Sequence, residues 1–523
     1  MNESSDQANQ QVARAAGTVM LAFIVSQLIG LVAKILIAGS FNAGVELDAF
    51  YAANRPSETL VTIMAGGILV SSFIPIFVKF LVKEDRGSAW KLASATANLI
   101  LVLLSILAGL AALFAGPIVQ YILGAGFSPD KQALTVSLLR IQTISIVFFG
   151  LSGLIIGILN SHQKFLMSAL APAMYQLGQI FGVLVLAPRL GIYGLAWGVV
   201  LGSVFNLLIQ VPSLLRLKGQ YIPSLGLHNP SVAEVFRLMA PRMFGAAVVQ
   251  LMLWVNTLLA SHMAGGSVFS LTSGFSLMIM AQAAIAQSVA TAVMPTFSAQ
   301  YAQGKLDELR QTLASALRGV ILLSVPATAG LILLSVPLIT FLYQRGEFTA
   351  ETTTLVAWAL IWYASGLVFH SILEVLVRAY YAMHDTKTPV LVGAAAMTLS
   401  IGLSLVFASL FQRFGWMPHG GLALAVSVST ALEVTTLFLI MRKRLQRIHG
   451  PDIAKGFGAA LLATLFMGAV LVGWLQITKS HSAALTTLGG VVIGGAVYAA
   501  VLVALRIPEV GSLIQMVKRR LSR

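Results

Sequence analysis

The sequence predicts an all-α fold: a polytopic membrane protein of about 14 transmembrane helices, built as two parallel six-helix lobes with two further C-terminal helices. Three observations lead there. The first is composition. Of 523 residues, 58% are hydrophobic and 10% charged, at a mean hydropathy of +0.88. A soluble domain carries about 25% charge, so most of this chain is not made for water. In lipid, only helices and closed barrels satisfy their own backbone polar groups. The second observation is run length. Apolar stretches of about 20 residues suit helices, whereas barrel strands alternate over segments of about 10. The third is an internal repeat at an offset of about 220 residues, which divides the chain into similar halves.

The spans are read at 15–40, 56–82, 92–115, 134–159, 165–187, 192–215, 236–260, 268–298, 314–343, 353–380, 388–411, 419–441, 454–477 and 482–505. The polar start, MNESSDQANQQVARAAG, is unlike a secretory signal, so the first helix is expected to be retained. Span two holds MAGGILVSS and ends in SSFIPIF; span eight holds AQAAIAQSVATA and ends in TAVMPTF. Small residues of this kind let helices approach closely, and Gln282, Gln287 and Ser288 add polarity. Basic loops follow both: KEDRGSAWK and QGKLDELRQ. Next, GPIVQYILGAGFSPD matches VPLITFLYQRGEFTAE, and NSHQKFLMSALAP matches YAMHDTKTP. These last two are polar elbows after the fourth span of each half. Asp385 is placed to cap the following helix, with Pro389 in its first turn. Each half holds an even number of spans, so the repeats are expected to be parallel, as in some transporters. The expected lobes are residues 1–220 and 221–445, and 446–523 carry two extra helices and a basic cytoplasmic tail.

The charges then sort by side. Of 33 Lys and Arg residues, 24 lie in the tails and even-numbered gaps, six in odd-numbered gaps and three inside spans. By the positive-inside rule both termini are cytoplasmic. The formal net charge of +15 is thereby explained by topology, with no nucleic acid required. There is no cysteine, which excludes disulfides and thiolate metal sites.

No Walker motif, GxSxG, HExxH or paired acidic motif is present. No catalytic residue, metal site or cofactor is expected, and transport would be driven by the membrane potential or an ion gradient. Ionisable residues inside spans are therefore the functional candidates, because burying a charge in hydrocarbon is costly. Lys34 lies in span one, seven residues after Gln27 on the same helical face. Arg55 and Glu58 stand at the outer entrance of span two. Arg140 and Arg242 lie near span ends, where long side chains snorkel. Glu374 in span ten is spaced to pair with Arg378 at i,i+4. Glu433 in span twelve, within STALEVTTLF, is the second candidate for ion or proton coupling.

Four stretches carry a resemblance to a known family: DAFYAANRPSETLVTIMAGGILVSSFIPIF, GILNSHQKFLMSALAP, RGEFTAETT and AYYAMHDTKTPV. The chain resembles the lipid II flippases of the MurJ/MviN type, in the multidrug/oligosaccharidyl-lipid/polysaccharide exporter superfamily. The similarity runs from about residue 15 to 450. It implies a bacterial inner-membrane protein that moves an undecaprenyl-pyrophosphate-linked peptidoglycan precursor by alternating access. Implied partners are that polyprenyl-pyrophosphate-linked glycan lipid and membrane lipids, with cell-wall synthesis proteins as further candidates. The substrate's pyrophosphate calls for cations in a shielded cavity. Here the chain departs from the pattern. Positions where similar proteins carry arginine hold Gln27, Ala33, Val61, Thr62 and Ser276. The resemblance keeps Asp48 and Arg55, and the substrate contacts it leaves are Lys34, Asp48, Arg55, Gln27 and Ser276, with Arg242 entering from the second lobe. Alternatives are a flippase for another polyprenyl-linked oligosaccharide, and a transport-inactive scaffold derived from a flippase.

Overall fold

Helices make up every regular element of the computed structural model, which describes residues 22, 25–65, 68–446, 448 and 450–506. The polar start, Arg14 and the basic cluster Lys518, Arg519, Arg520 and Arg523 lie outside the described residues. Ten described helices are long and apolar enough to cross a membrane, or thirteen with each bent pair counted as one span. The 118° bend between Val25–Ser40 and Ala43–Ile63 folds that pair back on itself. Its second leg, continued by the shorter apolar helix Leu69–Val82, follows the predicted second span. The protein is thus an all-helical, multi-pass membrane fold, consistent with about 14 spans.

The repeat is visible element by element. Arg86–Leu113 and Leu306–Leu333 each have 28 residues. Ile68–Val82 and Ser288–Ala302 each have 15 and each contain a proline, Pro75 and Pro295. A one-turn π-helix precedes each, at Val61–Ala65 and Ala283–Gln287. The two elbows close alike. Gln163 and His384 take positive φ, +58° and +59°, just past helices Ser145–Ser161 and Leu367–Ala382, the left-handed ending that stops a helix sharply. Beyond the second elbow, Asp385 Oδ1 accepts the backbone N–H groups of Lys387 and Thr388 at 3.1 and 3.0 Å, the cap expected from the sequence. Asp85 does the same for Ser88 at 2.9 Å, which starts its helix at Arg86 and not near residue 92.

Contacts divide the chain into two compact units. The first runs to Val268 and takes in Gly346–Phe348; the second holds Phe269–Arg345 and continues from Thr349. This contact boundary differs from the repeat boundary expected near residue 220. Helix Pro230–Ser261 belongs to the first unit because Val232, Val235 and Met239 are buried with Phe73, Phe77 and Leu92. Arg242, on that helix, falls within the first contact unit.

Elsewhere in the first unit, helices Phe165–Phe181 and Ile192–Leu208 meet backbone to backbone. A Cβ on Gly178 would fall 2.1 Å from Gly202 Cα, so glycine is required there. In the second unit Phe297, Leu313, Leu317, Tyr380, Leu437 and Met441 share one core. The two C-terminal helices are not a separate body. Ala460, Ala463, Met467 and Leu471 pack on Ile321, Leu322 and Val325, and the Tyr498 hydroxyl donates to the Leu322 carbonyl.

Candidate functional site

The site in the first unit grows from an irregular stretch of helix. Helix Asp48–Leu60 contains Pro56 and passes straight into the π-turn Val61–Ala65. Proline removes a backbone donor, and π-turns recur at functional positions because they displace side chains from the regular spiral. Polar residues gather on this stretch. Arg55 Nη1 pairs with Glu58 Oε2 at 2.9 Å, and Asn54 Nδ2 donates to the other carboxylate oxygen at 2.9 Å. The arginine also reaches across to the next wall, where its Nε donates to Thr257 Oγ1 at 3.1 Å. One turn along, Thr59 Oγ1 donates to Gln250 Oε1 at 3.1 Å and accepts from Trp254 Nε1 at 2.7 Å.

Thr59, Gln250, Trp254 and Thr257 are absent from the sequence-derived candidates. Their signal was nevertheless there. Gln250, Trp254 and Thr257 recur at i, i+4 and i+7 within an apolar run, which puts one polar stripe on one helical face.

Lys34 joins this cluster from helix Val25–Ser40. Its side chain is half-buried and lies in the electrostatic field of Glu58. Tyr175 feels the same carboxylate, and Gln179 Nε2 donates to the Tyr175 hydroxyl at 3.0 Å. The lysine helix runs close by, since a Cβ on Gly30 would lie 3.6 Å from Gln176. Arg55 is thus paired with Glu58 among uncharged polar groups, and Lys34 lies near the same carboxylate. In a low-dielectric setting that arrangement can hold an anion. Gln27 stands exposed on the same helix, and Ala33, at a position of family arginine, is fully buried.

Asp48 has a different task from the one the resemblance implies. It is 1% exposed, and its Oδ2 accepts from Lys131 Nζ at 2.8 Å and from the Gly266 backbone N–H at 2.7 Å. Lys131 also donates to the Gly44 carbonyl at 2.6 Å and lies 3.9 Å from the Phe127 ring centroid. The carboxylate ties together the starts of helices Asp48–Leu60 and Pro129–Gln142 and the turn at Gly266. Arg242 is likewise separated from the cluster. It binds the hydroxyls of Ser71 and Ser72. It precedes Thr257 by 15 residues on its helix, or roughly 22 Å.

The remaining candidates belong to the second unit. Ser276 is half-buried on helix Ser267–Gln282. Glu374 pairs with Arg378, as the i,i+4 spacing predicts, and accepts from Gln282 Nε2 at 3.2 Å. Glu433 is 6% exposed, and its Oε2 has no hydrogen-bond partner among the described residues. Its Oε1 lies 3.0 Å from where a Cβ on Gly393 would be, so the glycine makes room for the carboxylate. No three metal-ligating side chains cluster among the described residues.

A multi-pass helical fold with repeated halves, carrying an ionic cluster among its helices, is the architecture of a membrane transporter. Residues 37–491 match the profile of the lipid II flippase MurJ family, and the chain belongs to that family. It is 31% identical over 474 residues to the lipid II flippase MurJ of Burkholderia cenocepacia, covering 89% of this chain and 90% of the relative. It is 30% identical over 507 residues to the probable lipid II flippase MurJ of Vibrio cholerae, covering 92% and 94%. Among solved structures it is similar to a lipid II flippase MurJ in an inward closed conformation. There the TM-score is 0.78 and the identity 26%, over 93% of this chain and 98% of that one. An inward-facing multidrug resistance transporter of the MATE family shares the fold, with a TM-score of 0.67 at 16% identity over 81% and 98%.

Proposed function

We propose that this protein carries lipid II, the undecaprenyl-pyrophosphate-linked peptidoglycan precursor, across the bacterial inner membrane by alternating access, for cell-wall synthesis. The observation that carries this reading is the Arg55–Glu58 ion pair with Lys34 near the same carboxylate, among the polar groups Asn54, Thr59, Gln250 and Thr257, in a chain of the lipid II flippase family. A pyrophosphate brings at least two negative charges and needs cationic hydrogen-bond donors in a place shielded from water. Thr59, Thr257 and Gln250 add uncharged donors and acceptors along the same stripe.

Both termini are cytoplasmic in this reading, supported by the 24-to-six distribution of loop Lys and Arg. Transport is driven by the membrane potential or an ion gradient, with Glu433 and Glu374 as the coupling groups. Glu433 fits that role because it is a buried carboxylate with one oxygen unpartnered among the described residues. A second reading, a flippase for another polyprenyl-linked oligosaccharide, is favoured by one observation. The positions of family arginine hold Gln27, Ala33, Val61, Thr62 and Ser276.

The test is rescue of a strain depleted of its own lipid II flippase, scored for growth and for externally accessible precursor. Restored growth with restored external precursor is the expected result. If the protein reaches the membrane and restores neither, the lipid II reading fails.

A further inference from the structure

Away from the Lys34 cluster, the first unit has an open cleft between helices Arg86–Leu113 and Pro129–Gln142 with its continuation Ser145–Ser161. Its volume is about 370 Å³, within the range of small-molecule sites. We propose that this cleft is a binding site for one glycerophospholipid of the leaflet at the Pro129 end, with its phosphodiester on Arg140 and an acyl chain between the helices.

Charge and apolar surface follow a fixed order along the two walls. Arg140 is exposed, and its Nε donates to the carbonyl of Ala112 at 3.3 Å. Ala112 is the penultimate residue of its helix, so the guanidinium is level with the end of a span, where lipid phosphates lie. No carboxylate pairs with Arg140 among the described residues. From that level both walls run inward and are mainly apolar, with Thr143 and Ser105 as the polar exceptions. One descends from Arg140 through Ile144 to Val147 and Phe148; the other descends from Ala112 through Gly109 and Ala108 to Ser105. One charge at the mouth and an apolar channel behind it match the order of a phospholipid, headgroup first and chain behind.

The floor is also left open on purpose of space. A Cβ built on Gly109 would meet no atom within 4 Å, and Ile144 is 41% exposed. No described residue fills this volume. Guanidinium suits the occupant, since its planar fork donates two parallel hydrogen bonds to phosphate oxygens.

The test uses the full-length protein in vesicles containing phosphatidylglycerol with a photoreactive group on its acyl chain. Crosslinks are mapped to Ala108–Ala112 and Ile144–Phe148, with the exposed face of helix Lys387–Arg413 around Leu399 and Leu405 as reference. The cleft should be labelled more than the reference. Arg140→Gln should lower cleft labelling about fivefold, equivalent to roughly 1 kcal/mol, while Arg140→Lys keeps the larger part. Gly109→Leu should block labelling by filling the cleft, and serves alone if Arg140→Gln does not fold. Labelling equal to the reference, or unchanged by both variants, overturns the proposal. So does preferential labelling by an undecaprenyl-phosphate probe in the same vesicles.

Discussion

Asp48 and Lys131, 83 residues apart in sequence, form an ion pair of 2.8 Å whose side chains are only 2% and 10% exposed. Each partner is further satisfied, the carboxylate by the Gly266 N–H and the ammonium by the Gly44 carbonyl. Removing one partner of such a pair strands the other charge and costs about 3–5 kcal/mol, whereas replacing both with apolar groups is often far milder. Asp48→Ala and Lys131→Ala should each lower the unfolding midpoint in detergent strongly. Asp48→Leu combined with Lys131→Met should cost less than the two single losses added together. A strictly additive double mutant would show that the two side chains act independently.

The orientation of the elbows follows from charge. With no cysteine in the chain, a single one placed at His384 reports its side directly. His384→Cys should resist an impermeant thiol reagent in intact cells and react after permeabilisation. Ser480→Cys, in an odd-numbered gap at an exposed position, should react in intact cells. The opposite pattern would invert every loop assignment drawn from the basic residues.

The second elbow also carries a pH dependence. Burial pushes the Asp385 carboxyl up, but the Thr388 hydroxyl and N–H and the Arg444 guanidinium together hold it below the usual carboxylate range. A depressed value means the stabilisation is complete above the ordinary carboxylate value of about 4. It is lost as pH falls through the lower folded value. Asp385→Asn should therefore unfold at lower temperature than the parent protein at pH 7, and the gap should close as pH drops below about 4. A gap that is the same at pH 7 and pH 3 would exclude titration of Asp385 as its source.

What the sequence made legible was local or periodic. Span length, the repeat with Pro75 and Pro295, the Asp385 cap and the Glu374–Arg378 pair all depend on neighbours within a turn or on a fixed offset. The pairing of Asp48 with Lys131 does not, and a lysine in an odd-numbered gap looked like a minority topology charge. The contact units part near residue 268 and not at the repeat boundary near 220, for a related reason. The repeat marks where the second copy begins, but Val232, Val235 and Met239 bury their side chains in the first copy's core. Arg55 stood out in the sequence because a charge at the mouth of a span is conspicuous; Thr59, Gln250 and Thr257 did not, because uncharged polar residues are common in closely packed helices.

The last prediction tests the anion site. Lys34 and Arg55 share the field of Glu58, so a bound pyrophosphate would find both cations within one polar cluster. Removing one partner of a shielded ionic contact costs about 3–5 kcal/mol, whereas an exposed pair is worth about 1 kcal/mol or less. Lys34→Ala should therefore lower flipping of a lipid-pyrophosphate in proteoliposomes by more than about tenfold, the equivalent of 1.4 kcal/mol. Lys34→Arg keeps the charge and should retain much more activity. Arg86→Ala, at an exposed helix start outside the cluster, should change little. The Asp48 variants separate folding from binding: they should lose stability first, whereas Lys34→Ala should leave the unfolding midpoint close to that of the parent. Normal flipping by a stably folded Lys34→Ala protein would remove Lys34 from the site and leave Arg55 to hold the anion, a possibility that Arg55→Gln would then test in the same assay.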